Sequence, residues 1–459
     1  MAHARWRASS AKIAGREEAT PTNEPIDNTD TREQAASELT DTELAYGRFV
    51  PRQFLQLLGR PSIVDVQLGD NVEQEMTLLF SDIRDFTALS ESILPAENFR
   101  FINSYLSTME PVVARNHGIV DKFIGDGIMA LFAGPADDGV RAGIDMLRQL
   151  ELYNQGRARA GYAQIRIGVG VNTGLVMMGT IGGYNRMDST VIGDAVNLAS
   201  RLEGLTKSYA TPMMISAHTL HALRDPALYC IRFLDRVAIK GRYQAQSVYE
   251  VFDADRAQLR DEKLATRPDF ERALAYYHVG RPDLAQPLLE QCRRRAPGDT
   301  AVQVYLDRCG EAAAGRTDAA GRIEAEIAWR PDFSVGIGEI DAHHQELLAA
   351  IARLAGLVSG GKPGTGELLA HIGICIDRHF AHEQRQMLRH DYPFRHEHEA
   401  QHATFRRLFA EMRQEIENGT ENPLYLLFQI QLLLVDWKIN HIAKSDTHLG
   451  NFLLRAGMH

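Results

Sequence analysis

A chain of 459 residues outgrows a single hydrophobic core and should divide into two or three domains. With 44% hydrophobic and 24% charged residues most of it can fold, and a formal net charge of -10 disfavours a nucleic-acid binder, which gathers Lys and Arg against phosphates. Cys230, Cys292, Cys309 and Cys375 lie far apart, without the paired spacing of a disulfide framework or a thiolate zinc site, so a reducing cytoplasm is the expected location.

Residues 1–41 are polar and read as a disordered tail, because so few large apolar side chains cannot offset the entropy of ordering. Basic residues near the N-terminus have no apolar stretch behind them, so neither a secretory signal nor a membrane anchor is expected. Residues 42–71 form a helical lead-in, with Phe49, Phe54, Leu55 and Leu58 on a helical period. The first strong strand is Thr77-Leu78-Leu79-Phe80, and strand-like runs then alternate with helical ones as far as Tyr249-Glu250-Val251. That rhythm predicts one mixed α and β domain over 72–253.

From 258 to 316 the chain turns Ala-, Leu- and Arg-rich with no strand signal. Phe270, Ala273, Leu274, Tyr277, Gly280, Ala285, Leu288, Leu289 and Pro297 sit where one tetratricopeptide-like helix pair would place them. A single repeat is too little for independent stability, and Pro287 falls inside the second helix, so a plain helical spacer is the alternative. Residues 326–459 are again helical and hold most of the seventeen histidines. The longest apolar run, Tyr425 to Trp437, is interrupted by Gln429, Gln431 and Asp436 and is shorter than the ~20 residues that span a bilayer, so it reads as a bundle helix.

Two acidic positions stand out in the first domain. Asp82 follows an apolar strand, and Asp126 sits between Gly125 and Gly127 in a tight turn that joins two apolar runs. Two converging carboxylates could hold a pair of Mg²⁺ or Mn²⁺ ions against a triphosphate. Gly168-Val169-Gly170 lies inside a strand with no helix fingerprint behind it, so close backbone packing is expected there rather than dinucleotide binding.

The whole set of spacings, Asp82, Lys122, Asp126 and the run from Thr190 through Asn197 to Arg201, closely resembles the catalytic domain of class III nucleotide cyclases. The lead-in Leu68-Gly69-Asp70 and the closing Ile239-Lys240-Gly241 match as well. The resemblance implies an α+β domain with a ferredoxin-like βαββαβ core, and a homodimer whose two sites each draw on both protomers. It implies Asp82, Asp126 and the backbone carbonyl of Ile83 as ligands of the two metal ions. Lys122 and Thr190 would read the purine, Asn197 and Arg201 would act at the reacting end, and Lys240 would meet the triphosphate tail. Lys122 is a donor only and suits a ring nitrogen of adenine, so ATP is the expected substrate and 3′,5′-cyclic AMP with pyrophosphate the products. Thr190 departs from the Asp found in many members, although its hydroxyl can still accept from the adenine amino group.

In the last segment His379 and Glu383 are four apart, as are His398 and His402, which aims each pair into one bundle interior. His344 stands on a preceding segment, and Asp446 is five from His441, a looser offset. With Trp329, Phe333, Val335, Gly336 and Tyr392-Pro393, this set resembles the haemerythrin family, an all-α four-helix bundle holding two non-haem iron atoms. The resemblance implies His398, His402 and His441 on one iron, His344 and His379 on the other, and Glu383 and Asp446 bridging both. His343, His382, His390 and His396 match no ligand position and are expected at the surface or behind the ligands. Imidazole and carboxylate suit iron without excluding manganese or zinc. The expected protein is thus a cytoplasmic adenylate cyclase responding to O₂, NO or redox state, with no nucleic acid or membrane partner. An O₂ or iron store beside an unregulated cyclase is the second reading; a degenerate cyclase scaffold is disfavoured because every matched position carries a usable residue.

Overall fold

The computed structural model describes residues 52–183, 186–238, 245–314, 329, 331–360, 365–418 and 423–458. The tail at 1–41 and Lys240 lie outside them. A short helix, α1 (Arg52–Leu57), precedes β1 (Asn71–Ile83), which is longer than the apolar Thr77–Phe80 run. Its first half alternates between exposed and half-buried side chains and is held by backbone pairing to a long neighbour, which needs no apolar signal. Then come α2 (Phe86–Glu91), α3 (Pro95–Arg115), β2 (Ile119–Ile124), β3 (Gly127–Phe132), α4 (Ala136–Arg159) and β4 (Ile167–Gly183). β1 pairs antiparallel with β3 and β4, and β2 with β3, so this βαββαβ segment has the order β2-β3-β1-β4. That is the ferredoxin-like core.

The chain continues through β5 (Arg186–Ile192), which folds back on the outer half of β4, α5 (Asp194–Ser208), β6 (Met213–Ser216), α6 (Ala217–Ala222), β7 (Ile231–Ala238) and β8 (Ala245–Val251). The parallel β4–β6 pair extends the sheet to β8 and β7. One face of the sheet is covered by α3 and α4, with Tyr105, Met109, Val140 and Ile144 packed on Leu79, Ile128 and Val169. The opposite face is covered by α5 and by three further helices, α7 (Ala257–His278), α8 (Pro282–Arg295) and α9 (Thr300–Ala313). Pro287 lies within α8 without ending it.

These spacer helices share the domain's core: Phe270, Leu274, Leu289, Val302 and Tyr305 pack with Leu198, Leu202, Met214 and Val248. A buried charge network adds to the seam. Arg232 on β7 donates to Glu250 of β8 at 2.6 Å and, with both terminal nitrogens, to Asp299 before α9 at 2.6 and 2.7 Å. Lys263 on α7 donates to Glu250 and to Asp255 at 2.8 and 2.7 Å.

The C-terminal bundle consists of α10 (Gly338–Gly360), α11 (Thr365–Arg389), α12 (Arg395–Asn418) and α13 (Pro423–Trp437). α13 runs into a π-helical segment (Lys438–Asp446) and then α14 (Thr447–Arg455). Leu347, Leu354, Leu369, Ile376, Phe380, Phe405, Ile430 and Leu434 form its core. The bundle sits directly on the sheet domain. Tyr425 and Phe428 of α13 enter the spacer core, the Tyr425 hydroxyl donates to Glu271 at 3.2 Å, and Asp436 accepts from Ser247 of β8 at 2.9 Å beside Arg236. Among the described residues no helix is long and apolar enough to cross a membrane.

Candidate active site and metal centre

Asp82 is the penultimate residue of β1 rather than the residue after it, and Asp126 occupies the turn from β2 to β3, where Gly125 has φ +64°. The turn folds Asp126 back on the end of β1, and its carboxylate accepts from the N–H of Ile83 at 3.1 Å. Burial, and Asp82 alongside, push the Asp126 carboxyl up to about 6. Gly127 keeps the cradle open: a Cβ there would lie 3.3 Å from Asp82 Oδ1 and 3.2 Å from the carbonyl of Ser81. Two crowded carboxylates at the end of β1 are groups that a divalent cation would neutralise.

Behind them Arg84 donates to Glu203 at 3.1 Å, and burial raises the Glu203 carboxyl to about 7. Sequence reasoning missed this pair because its partners are 119 residues apart.

Lys122 on β2 turns to the β4–β5 hairpin instead. Its Nζ lies 3.4 Å from Thr190 Oγ1, 3.5 Å from the carbonyl of Ser189 and 3.4 Å from Asp121. Asn197 and Arg201 lie four apart on α5, exposed and half-exposed. Their helix is positioned by Gly170 of β4, where a Cβ would stand 2.2 Å from the Glu203 nitrogen and 2.5 Å from the Ala199 carbonyl. Gly168–Gly170 thus serves close helix packing.

In the bundle all seven of the residues singled out are buried and meet at one place. His398, His402 and His441 gather with Glu383 and Asp446, and His344 and His379 gather with the same two carboxylates. Asp446 divides its oxygens. Oδ1 lies 3.3 Å from His398 Nε2 and 3.0 Å from His441 Nε2, and Oδ2 lies 3.0 Å from His344 Nε2 and 3.6 Å from His379 Nε2. Glu383 Oε2 is 3.2 to 3.4 Å from His402, His398 and His379.

The π-helical segment explains the offset of five. It has more residues per turn than an α-helix, so His441 and Asp446 return to one face.

Burial opposes a charged His398, yet Asp446 and Glu383 outweigh it and raise the imidazole to about 10; burial pushes His402 down to about 3. Against the cost of burial the surrounding imidazoles hold Glu383 and Asp446 well below the usual carboxylate range. Both ring nitrogens of His379 and Glu383 Oε1 are buried without a hydrogen-bond partner. Seven side chains so arranged fit cations rather than one another.

Supporting groups orient the ligands. The Gln401 carboxamide oxygen accepts from His441 Nδ1 at 2.8 Å and from Ser445 at 2.8 Å, which leaves His441 Nε2 facing the cluster. Phe380 stacks on His402 with 3.7 Å between centroids, and Trp437 stacks on His441. Of the four unassigned histidines, His382 is buried, His343 and His390 are half-buried, and His396 is exposed.

Residues 70–252 match the family model of the adenylate and guanylate cyclase catalytic domain, and residues 335–453 match that of the hemerythrin HHE cation binding domain. The chain thus carries a nucleotide cyclase catalytic domain and, C-terminal to it, a haemerythrin HHE domain. The chain is similar to the adenylate cyclase of Anabaena cylindrica, 41% identical over 221 residues, which is 47% of this chain and 44% of that protein. It is also similar to the terminal-differentiation specific adenylate cyclase of Dictyostelium discoideum, 35% identical over 281 residues, 60% of this chain and 13% of that protein. The chain therefore covers less than half the length of either relative. Among solved structures, the adenylyl cyclase CyaB from P. aeruginosa is 32% identical, with 40% of this chain and 97% of that chain covered and a TM-score of 0.37.

Proposed function

We propose that the chain cyclises ATP to 3′,5′-cyclic AMP and pyrophosphate in a homodimer, and that a di-iron centre in the haemerythrin domain modulates the rate in response to O₂, NO or redox state. The observation that carries the substrate is the Lys122 ammonium 3.4 Å from the Thr190 hydroxyl. A donor beside an acceptor matches the ring nitrogen and amino group of adenine, whereas guanine reverses that pattern. The name adenylate cyclase given to both curated relatives agrees with this polarity.

Two Mg²⁺ or Mn²⁺ ions, when bound, acidify the ribose 3′-hydroxyl and neutralise charge as it attacks the α-phosphorus. Asp82 and Asp126 are the groups that would hold them, with the Ile83 carbonyl as a further oxygen. Arg201 brings a delocalised fork of donors to the phosphorus, and Asn197 orients the ribose. Lys240 is assigned to the triphosphate tail by resemblance.

Within one chain, Lys122 engages Thr190 while Asp126 engages Asp82 and Ile83, as two separate clusters. A partner that supplies the other half of each site accounts for this. Leu175, Met177, Ile181, Met187 and Ile192 of the β4–β5 hairpin are exposed large apolar residues, as an interface would require.

Iron suits the imidazole and carboxylate set of the haemerythrin domain. Its influence has a packed route to the cyclase site: the π-helical segment with His441 and Asp446 continues α13, whose Tyr425 and Phe428 share a core with Leu198 and Leu202 on the helix of Asn197 and Arg201.

Turnover of ATP against GTP by the Lys122→Ala variant tests the substrate assignment. Selectivity for ATP should fall by about 10- to 100-fold, the worth of a hydrogen bond to a charged group. Undiminished selectivity would overturn it.

A further inference from the structure

The ligand stripe of α11 does not end at His379. His371, Cys375, His379 and Glu383 recur every four residues, so successive side chains step by ~40° around the helix and form one continuous row. The last two belong to the buried centre already described, and the first two do not.

Cys375 Sγ lies 3.7 Å from His371 Nε2 and 3.6 Å from Oε1 of Glu346 on α10. The three ligand atoms lie within 4.8 Å of one another. The other oxygen of Glu346 is held by Arg378, which leaves Oε1 turned to the thiol. Cys375 is buried, Glu346 is half-buried, and the cluster opens toward solvent on the side of His371.

We propose that Glu346, His371 and Cys375 form a separate mononuclear site for Zn²⁺, or a divalent ion of similar preference, with a water completing the shell. Tetrahedral zinc with bonds of about 2.3 Å to sulfur and about 2.1 Å to nitrogen or oxygen sets neighbouring ligands ~3.6 Å apart. The two distances to sulfur match that edge. A thiolate and a carboxylate neutralise the charge of the ion, and the mixed S, N and O set prefers zinc over magnesium or calcium. Arg378 then plays the part of an outer group that orients a ligating carboxylate. Burial raises the free thiol to about 11, so binding releases a proton and strengthens as pH rises.

The full chain, its haemerythrin centre first loaded with iron, is titrated with Co²⁺ as a spectroscopic stand-in for Zn²⁺. One thiolate-bound ion per chain should appear as a thiolate-to-cobalt absorption band in the near ultraviolet, and Zn²⁺ should displace it. The iron centre has no cysteine, so the band does not arise there, and Cys375→Ser distinguishes this site from the other thiols. Cys375→Ser should abolish the band, and His371→Ala, a change at the surface that leaves the core intact, should weaken affinity by more than ~10-fold. Cys230→Ser, which alters a thiol elsewhere in the chain, should change neither. No thiolate band in the iron-loaded protein, a band that survives Cys375→Ser, or unchanged affinity in His371→Ala would each overturn the assignment.

Discussion

Replacing Arg232 with Met removes the cation that bridges Glu250 of β8 and Asp299 of the spacer. All three side chains are almost fully buried: Arg232 and Asp299 are 0% exposed and Glu250 1%. Glu250 would keep Lys263 at 2.8 Å and the Thr211 hydroxyl at 2.8 Å, but Asp299 would lose its bidentate partner. Breaking a buried pair from one side leaves an uncompensated charge, at a cost of about 3–5 kcal/mol. For a domain of this size each kcal/mol lowers Tm by ~2–4 °C, so a fall of ~6–20 °C is expected at neutral pH.

The pH dependence carries a sign. Against the cost of burial, Arg232 and Lys263 hold Glu250 down at about 2, below its ordinary 4.5. Its contribution is therefore fully present above pH ~4.5 and is lost as pH falls toward 2. The gap between parent and Arg232→Met should accordingly narrow in acid. Thermal unfolding followed by circular dichroism at neutral pH and near pH 3 measures both effects. The double variant Arg232→Met/Asp299→Leu should regain part of the loss. A single variant within ~1 °C of the parent, or a double variant no better than the single, would refute the reasoning.

Two further changes probe the two sites. Gly170→Ala places a methyl 2.2 Å from the backbone nitrogen of Glu203, which cannot rotate away, so α5 must shift; stability should fall by ~1–3 kcal/mol and cyclisation with it, and an unchanged rate would separate α5 from the chemistry. Asp446→Asn removes the carboxylate whose oxygens face both histidine groups, so iron measured per chain should drop below two while far-ultraviolet circular dichroism stays helical. Two irons retained in that variant would remove Asp446 from the ligand set.

Much of this was readable from local signals. Glycines on both sides of Asp126 mark a turn that only a small number of conformations satisfy, and offsets of four aim His379 with Glu383, and His398 with His402, into one interior. The features that stayed hidden depend on distant partners or on irregular backbone. His441 and Asp446 fit no α-helical period because the backbone between them is π-helical. Arg232 and Asp299 are 67 residues apart, so neither advertised that the spacer is part of the domain core. Asp436, which merely interrupted an apolar run in the sequence, proves to be a contact between the bundle and β8. Lys122 and Thr190 lie between these extremes: the resemblance marks each of them, and their approach to one another requires the β4–β5 hairpin to fold back.

A chain that joins a haemerythrin domain to a cyclase domain should couple the state of its metal centre to cyclic nucleotide formation. Cyclic AMP formation from ATP, measured on the same preparation in reduced, oxidised and iron-free states, tests it most directly. The packed route from His441 and Asp446 through α13 to α5 predicts that the three rates differ. Identical rates in all three states would contradict it.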